Sequence, residues 1–162
     1  MTEIKLGLDI DTFAGALILV SNRTLSDSEI MKDTSAVYGS VEIFAMDVFA
    51  DVFALHRDRV IRIGTETGDV AEEWPSPSAW ETDMINDRRA VGQTFLKMWE
   101  DANGKLPDGH RLTPKMQIVF GGEFTIENMV SMPVQTILDF RTDIVRQIRG
   151  LPDGARIMLD TQ

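Results

Sequence analysis

The 162-residue chain has no cysteine, which rules out disulfides and thiolate metal sites and suits a reducing compartment. Histidine is nearly as scarce. His56 and His110 lie far apart with neither HxH nor HExxH spacing, so no metal site and no cofactor are expected, and each reads as a surface or turn residue. Long apolar runs are missing too. The most apolar early stretch, Ala14 to Val20, falls far short of the roughly 20 residues a membrane-spanning helix needs. The opening Met1-Thr-Glu-Ile-Lys5 lacks the basic and apolar regions of a secretory signal, so the expectation is a cytoplasmic protein with no membrane contact. Repeats and linkers are absent as well: Pro75-Ser-Pro-Ser78 is a turn, and residues 1–162 read as one domain.

Positive charge is also in short supply. Against 26 Asp and Glu stand 16 Lys and Arg, a net charge of −10. Residues 1–83 hold 6 basic and 16 acidic side chains, whereas residues 84–162 hold 10 of each, so the first half carries the whole imbalance. Such a field repels phosphate backbones and anionic membranes and favours a basic protein partner over direct nucleic-acid binding. With 43% hydrophobic residues the chain has enough apolar material to fold despite its acidity.

The apolar run Ala14 to Val20 reads as a buried strand or a short buried helix. Ser26-Asp-Ser-Glu29 has capping-box spacing and predicts a short helix over 26–33. From Val41 to Trp74, β-branched and aromatic residues punctuated by turn sequences predict an antiparallel meander: strands near Val41 to Ala45, Val52 to Leu55, Val60 to Ile63 and Asp69 to Trp74. The spacing of Trp80, Met84, Val91, Phe95 and Trp99 is helical, with a break at Asn86-Asp87 or Gly92 and a stop at Asn103-Gly104. Met116 to Phe120 reads as a strand, residues 134–149 as an amphipathic helix, and Ala155 to Leu159 as a last strand. Together these give an α+β fold with a mainly antiparallel sheet.

Candidate catalytic strings fail on spacing. Leu8-Asp9-Ile10-Asp11-Thr12 matches the DxDxT string of haloacid-dehalogenase-type phosphatases, but the Ser21 that would serve as their second motif follows too soon for a parallel crossover. No serine sits in a GxSxG setting, and Gly121-Gly122 and Gly150 to Gly154 lack the pattern of a phosphate loop. No catalytic residue is assigned. The most suggestive constellation is the acidic series Glu66, Asp69, Glu72, Glu73, Glu81, Asp83 and Asp87, interleaved with Trp74 and Trp80. Carboxylates standing where phosphates would sit, with aromatic anchors among them, suit an inhibitor of a basic, nucleic-acid-handling protein. A solvated sheet rim with buried tryptophans would read the same way. Met116, Met129 and Met132 read as core filler.

In the C-terminal third, Leu112-Thr-Pro-Lys-Met-Gln-Ile-Val-Phe-Gly-Gly-Glu-Phe-Thr-Ile-Glu-Asn-Met129, then Phe140-Arg141 and Gln147-Ile-Arg-Gly-Leu-Pro-Asp-Gly154, resemble the SUKH superfamily of bacterial immunity proteins and the related immunity domains of type VI secretion DNase toxins. The resemblance extends back through Leu106 to His110, Trp99, the Trp80 segment, Thr67-Gly68 and the segments around Asp47 and Asp51 to Leu55. It covers about residues 40–158, and residues 1–39 depart from the pattern. It implies a non-enzymatic binding protein that neutralises a cognate toxin, a nuclease or nucleic-acid deaminase, by occlusion. Within it Gly121, Gly122, Glu123, Asn128, Pro152 and Gly154 are structural residues, while Glu66, Asp69, Glu72, Glu73, Trp74, Glu81 and Asp83 in the acidic half would meet the partner. A general scaffold or regulatory interaction protein of the same fold is the alternative.

Overall fold

The computed structural model describes residues 9–21, 25, 29–152 and 154. A 3-10 turn, Ile10–Phe13, is capped by the Asp9 carboxylate, which accepts the Asp11 N–H (3.1 Å). Among the described residues seven strands follow: β1 (Ile18–Leu19), β2 (Glu42–Met46), β3 (Val52–His56), β4 (Arg59–Ile63), β5 (Val70–Trp74), β6 (His110–Pro114) and β7 (Met129–Pro133). The helices among these residues are α1 (Lys32–Tyr38), α2 (Pro77–Asn86), α3 (Gln93–Asn103) and α4 (Val134–Ile148). Strands β1 to β5 form one antiparallel sheet in chain order, and β6 pairs with β7 in a second, so the described residues make a single α+β domain.

The central strands are apolar on both faces because both faces are covered. Along β3, Val52 and Ala54 point into one core and Phe53 into the other, as the two-residue period requires. A bulge between Ile43 and Ala45 shifts this alternation in β2 and sends Phe44 and Ala45 to the same side. The first core is closed by Trp80 and Met84 of α2, Leu96 and Trp99 of α3, Leu112 and Met129. Ile137, Leu138 and Val145 of α4, with Ile30 and Met31 before α1, close the second. Trp80 is fully buried, edge-on to Phe44 (5.0 Å) and tilted against Phe53 (5.3 Å). Truncating a side chain so placed costs about 3–5 kcal/mol.

The meander is found where its residues predict it, and the helical segment breaks at both suggested points. α2 starts at Ser76, whose hydroxyl accepts the Ala79 N–H (3.1 Å), with Pro77 in its first turn. It ends before Asp87, and a 3-10 turn, Arg88–Val91, leads to Gly92 at φ 79°. A Cβ at Gly92 would collide with Val48 and come within 2.7 Å of the Phe49 ring. The run from Ala14 supplies only the two-residue β1, after left-handed Ala14 and Gly15. Residues 26–28 of the capping box lie outside the described residues; Glu29–Met31 is a 3-10 turn and the helix starts at Lys32.

The expected strand Met116 to Phe120 is not a strand. Pairing ends at Pro114, and Ile118–Phe120 is a 3-10 turn within a loop spanning 115–128. Its partner strand, β7, is instead Met129–Pro133, so Met129 is core, while Met116 and Met132 are exposed and not core filler. Pro114 and Pro133 sit at opposite ends of this ladder, where a missing N–H does least harm. The expected strand from Ala155 lies outside the described residues.

Asn128 ties the loop together. Its Oδ1 accepts the Met116 N–H (3.0 Å), and its Nδ2 donates to the carbonyls of Met116 (3.0 Å) and Glu123 (2.8 Å). Its own carbonyl accepts the Lys115 N–H (2.6 Å). Gly122 passes so close to the Met116 carbonyl that any Cβ would overlap it, and Gly121 takes φ 90°. Gly122 has no left-handed φ, so Gly122→Ala isolates this close approach. It should lower stability by about 1–3 kcal/mol and speed amide exchange across 115–128; wild-type exchange in the variant would contradict the packing described.

Candidate clefts on the acidic face

The turn from β2 to β3 is built on a buried carboxylate. Asp47, fully buried, accepts the N–H groups of Phe49 and Asp51 through Oδ1 (2.9 Å each) and Arg62 Nη2 through Oδ2. Arg62 Nη1 donates to the Ala90 carbonyl (2.9 Å), and the guanidinium lies 5.5 Å from the Phe53 ring centre. Arg62 is also within 3.8 Å of Asp51 and 3.9 Å of Glu72. From α4, the 2% exposed Arg141 donates through Nη1 to the Phe49 carbonyl (2.7 Å) and Thr65 Oγ1 (2.6 Å). Thr65 donates its hydroxyl to the Ala50 carbonyl (2.8 Å) and its N–H to Asp51 Oδ1 (3.0 Å). β4, the turn and α4 are thus locked together through polar groups.

Burial, and next the neighbouring Asp51 carboxylate, push the Asp47 carboxyl up from 3.8 to about 7, against the pull of Arg62 and the two backbone donors. Burial likewise lowers Arg141 and brings Arg111 down to about 10, with nearby carboxylates opposing it in both cases. Arg111 donates to the Gly15 carbonyl (2.8 Å).

Two adjoining clefts open above this network. The larger, about 600 Å³, has apolar walls including Phe49, Ile118 and Phe124 and is lined by Asp51, Glu66, Glu72, Asp87, Arg62 and Arg141. The smaller, about 500 Å³, is lined by Glu72, Glu73, Trp74, Asp83 and Asp87 among others. Glu72, Asp87 and Ala90 belong to both. Five of the seven acidic-half residues singled out by sequence are therefore gathered along one groove, Glu66 at one end and Asp83 at the other. Asp69 and Glu81 line neither cleft.

Trp74 needs correction as a projecting anchor. It is 7% exposed, packs against Phe53 (5.9 Å), and donates its indole N–H to Asp83 (2.7 Å), so it forms part of the groove floor. Glu73 is paired with Arg59 (2.6 Å), and Glu66 accepts the Val119 N–H (2.9 Å), joining the β4–β5 turn to the 115–128 loop. Sequence reasoning passed over Arg62, Phe124 and the role of Arg141. The signal for Arg62 was there: a lone cation inside the apolar strand Val60-Ile-Arg-Ile63, one hairpin after a turn bracketed by Asp47 and Asp51.

Among the described residues, no three His, Asp or Glu side chains are grouped to hold a metal ion, and no helix is long and apolar enough to cross a membrane. His56 stacks edge-on to Tyr38 (5.3 Å), and His110 begins β6 opposite Pro133.

The Asp47 shift sets a pH dependence. Because the carboxyl is raised on folding, the native state holds a proton that the unfolded chain has released between about pH 4 and 7. Its contribution to stability is therefore present at the acid end and lost as pH rises through 7. Urea unfolding at pH 5 and pH 8 should show a loss for wild type on the order of 1–3 kcal/mol larger than for Asp47→Asn. Parallel curves for the two proteins would place the proton elsewhere.

No protein-family model matches the chain, and no curated protein matches it. Among solved structures it is similar to one described as the crystal structure of Atu4351 from Agrobacterium tumefaciens, at 15% identity and a TM-score of 0.51. The match covers 79% of this chain and 66% of that one, so this chain spans just under two thirds of that protein's length. At this identity the likeness is one of fold alone.

Proposed function

We propose that the protein is a non-enzymatic, immunity-type binding protein that acts in the cytoplasm and neutralises a basic toxin domain by covering its working surface. The observation that carries this reading is the convergence of Glu66, Glu72, Glu73, Asp83 and Asp87 on two adjoining clefts. Carboxylates in concave, partly apolar surroundings attract and orient a cationic surface far better than the same charges scattered over a convex one. The resemblance of the Gly121-Gly122-Glu123, Asn128 and Leu151 to Gly154 strings to immunity proteins supports the choice of a toxin, a nuclease or nucleic-acid deaminase, as that surface.

A general scaffold or regulatory protein would use the same groove, and a toxin-like coding region beside this gene separates the two. Phosphatase chemistry at Asp9 and Asp11 finds no support, because Asp9 caps a 3-10 turn and all described strand pairs are antiparallel.

The test is affinity for the partner retained on co-purification from the native cell. Glu72 and Glu73 are both exposed, so reversing them leaves the cores intact. The double variant Glu72→Lys, Glu73→Lys should bind at least about tenfold more weakly and show a flatter dependence on salt. Equal affinity and equal salt dependence would remove the groove from the interface.

A further inference from the structure

We propose that the larger cleft receives one arginine side chain of the partner, held between the Phe124 ring and the carboxylates of Asp51 and Glu72. This rests on the reading of a basic partner and names the contact that anchors it.

Phe49, Phe95 and Phe124 form a mutually touching trio, with ring centres 5.0–5.2 Å apart. Phe124 nevertheless stays 57% exposed, within a loop whose backbone is pinned by Asn128 and Gly122. A large aromatic held in the open, in a cleft it shares with the exposed Ile118, is apolar surface awaiting a cover. The charges around it state what kind. Four carboxylates line this cleft against two guanidinium groups, and both guanidinium groups are already committed: Arg62 to Asp47 and the Ala90 carbonyl, Arg141 to Phe49 and Thr65. Arg62 is shared among Asp47, Asp51 and Glu72, and it reaches Asp51 Oδ2 and Glu72 only at 3.8 and 3.9 Å, too long for direct hydrogen bonds, so both carboxylates keep acceptor capacity.

A ligand matched to this site is cationic, planar enough to lie on a phenyl face, and able to donate to more than one carboxylate. Guanidinium meets all three conditions; ammonium, a compact point charge with three donors, lacks the planar face. The nearly buried Arg141 also lines the cleft, but its guanidinium is spent on the Phe49 carbonyl and Thr65, so it adds no competing side chain to the opening. The cleft volume of about 600 Å³ leaves room for the side chain and the adjoining backbone.

The probe is a blocked Gly-Arg-Gly tripeptide titrated into the isotopically labelled full chain at low salt and followed by NMR, with the Lys and Glu tripeptides alongside. Expected are arginine-dependent shifts at Phe49, Phe124 and the 115–128 loop, at least about threefold tighter than for lysine. Phe124→Ala should weaken the arginine tripeptide about fivefold or more, while Asp143→Asn, on the exposed face of α4, leaves it unchanged. Shifts centred on Glu73 and Asp83, equal binding of lysine, tighter binding of the glutamate tripeptide, or no shifts up to about 10 mM would each overturn the proposal. If the tripeptide fails while the Glu72, Glu73 reversal still weakens the intact partner, the anchor alone falls. If that reversal has no effect, the basic-partner reading falls with it.

Discussion

A carboxylate with no access to water organises the molecule. Asp47 turns the chain between β2 and β3 by accepting two backbone N–H groups, and it holds Arg62 of β4 in the same grip. Removing one member of such a set leaves a buried charge without its partner, so its parts stand or fall together. Around it the backbone is stitched to distant segments: Val48 N–H to the Val91 carbonyl (3.3 Å), and Leu112 N–H to the Val48 carbonyl (2.8 Å). Arg141 then fastens the same turn to α4. The meander, the α2–α3 junction, the second sheet and the last helix meet here.

The clefts follow from that meeting. A turn held from below by Asp47 and Arg141 presents Phe49 and Asp51 upward, the α2–α3 junction contributes Asp87 and Ala90, and the 115–128 loop supplies the opposing wall. Charge alone divides the chain into an acidic half and a neutral framework half. The structure joins them in a single groove, because the glycine-rich framework loop carries Phe124 and Ile118 into the cleft whose carboxylates come from the first half and the α2–α3 junction. The Gly121, Gly122 and Asn128 strings are structural in that they shape this wall.

Much of this was legible from sequence where one physical signal dominated. Dense β-branched residues between short turns identified β2 to β5, and the apolar spacing from Ile137 to Ile148 identified α4. Periodicity failed where apolar residues are not buried: Met116, Ile118 and Val119 look like a strand but face solvent, since Asn128 and Gly122 satisfy the backbone in a loop instead. It also overlooked β6 and β7, which mix Arg, Thr, Ser and Pro and pair only with each other. Trp74 misled in the opposite direction, its sequence neighbours being acidic while its ring packs beneath them. The acidic groove was half visible, as a list of carboxylates; that Arg62 and Arg141 sit under them follows only from the fold.

The proposed partner would cover this groove and not the exposed turns of α1 and α4. Hydrogen exchange of the whole protein, alone and saturated with its co-purified partner, tests that most directly. Binding should slow exchange in residues 47–51, 70–87 and 115–128 while leaving the exposed turns of α1 and α4 unchanged. Protection confined to α1 and α4, with the groove exchanging as in the free protein, would contradict it.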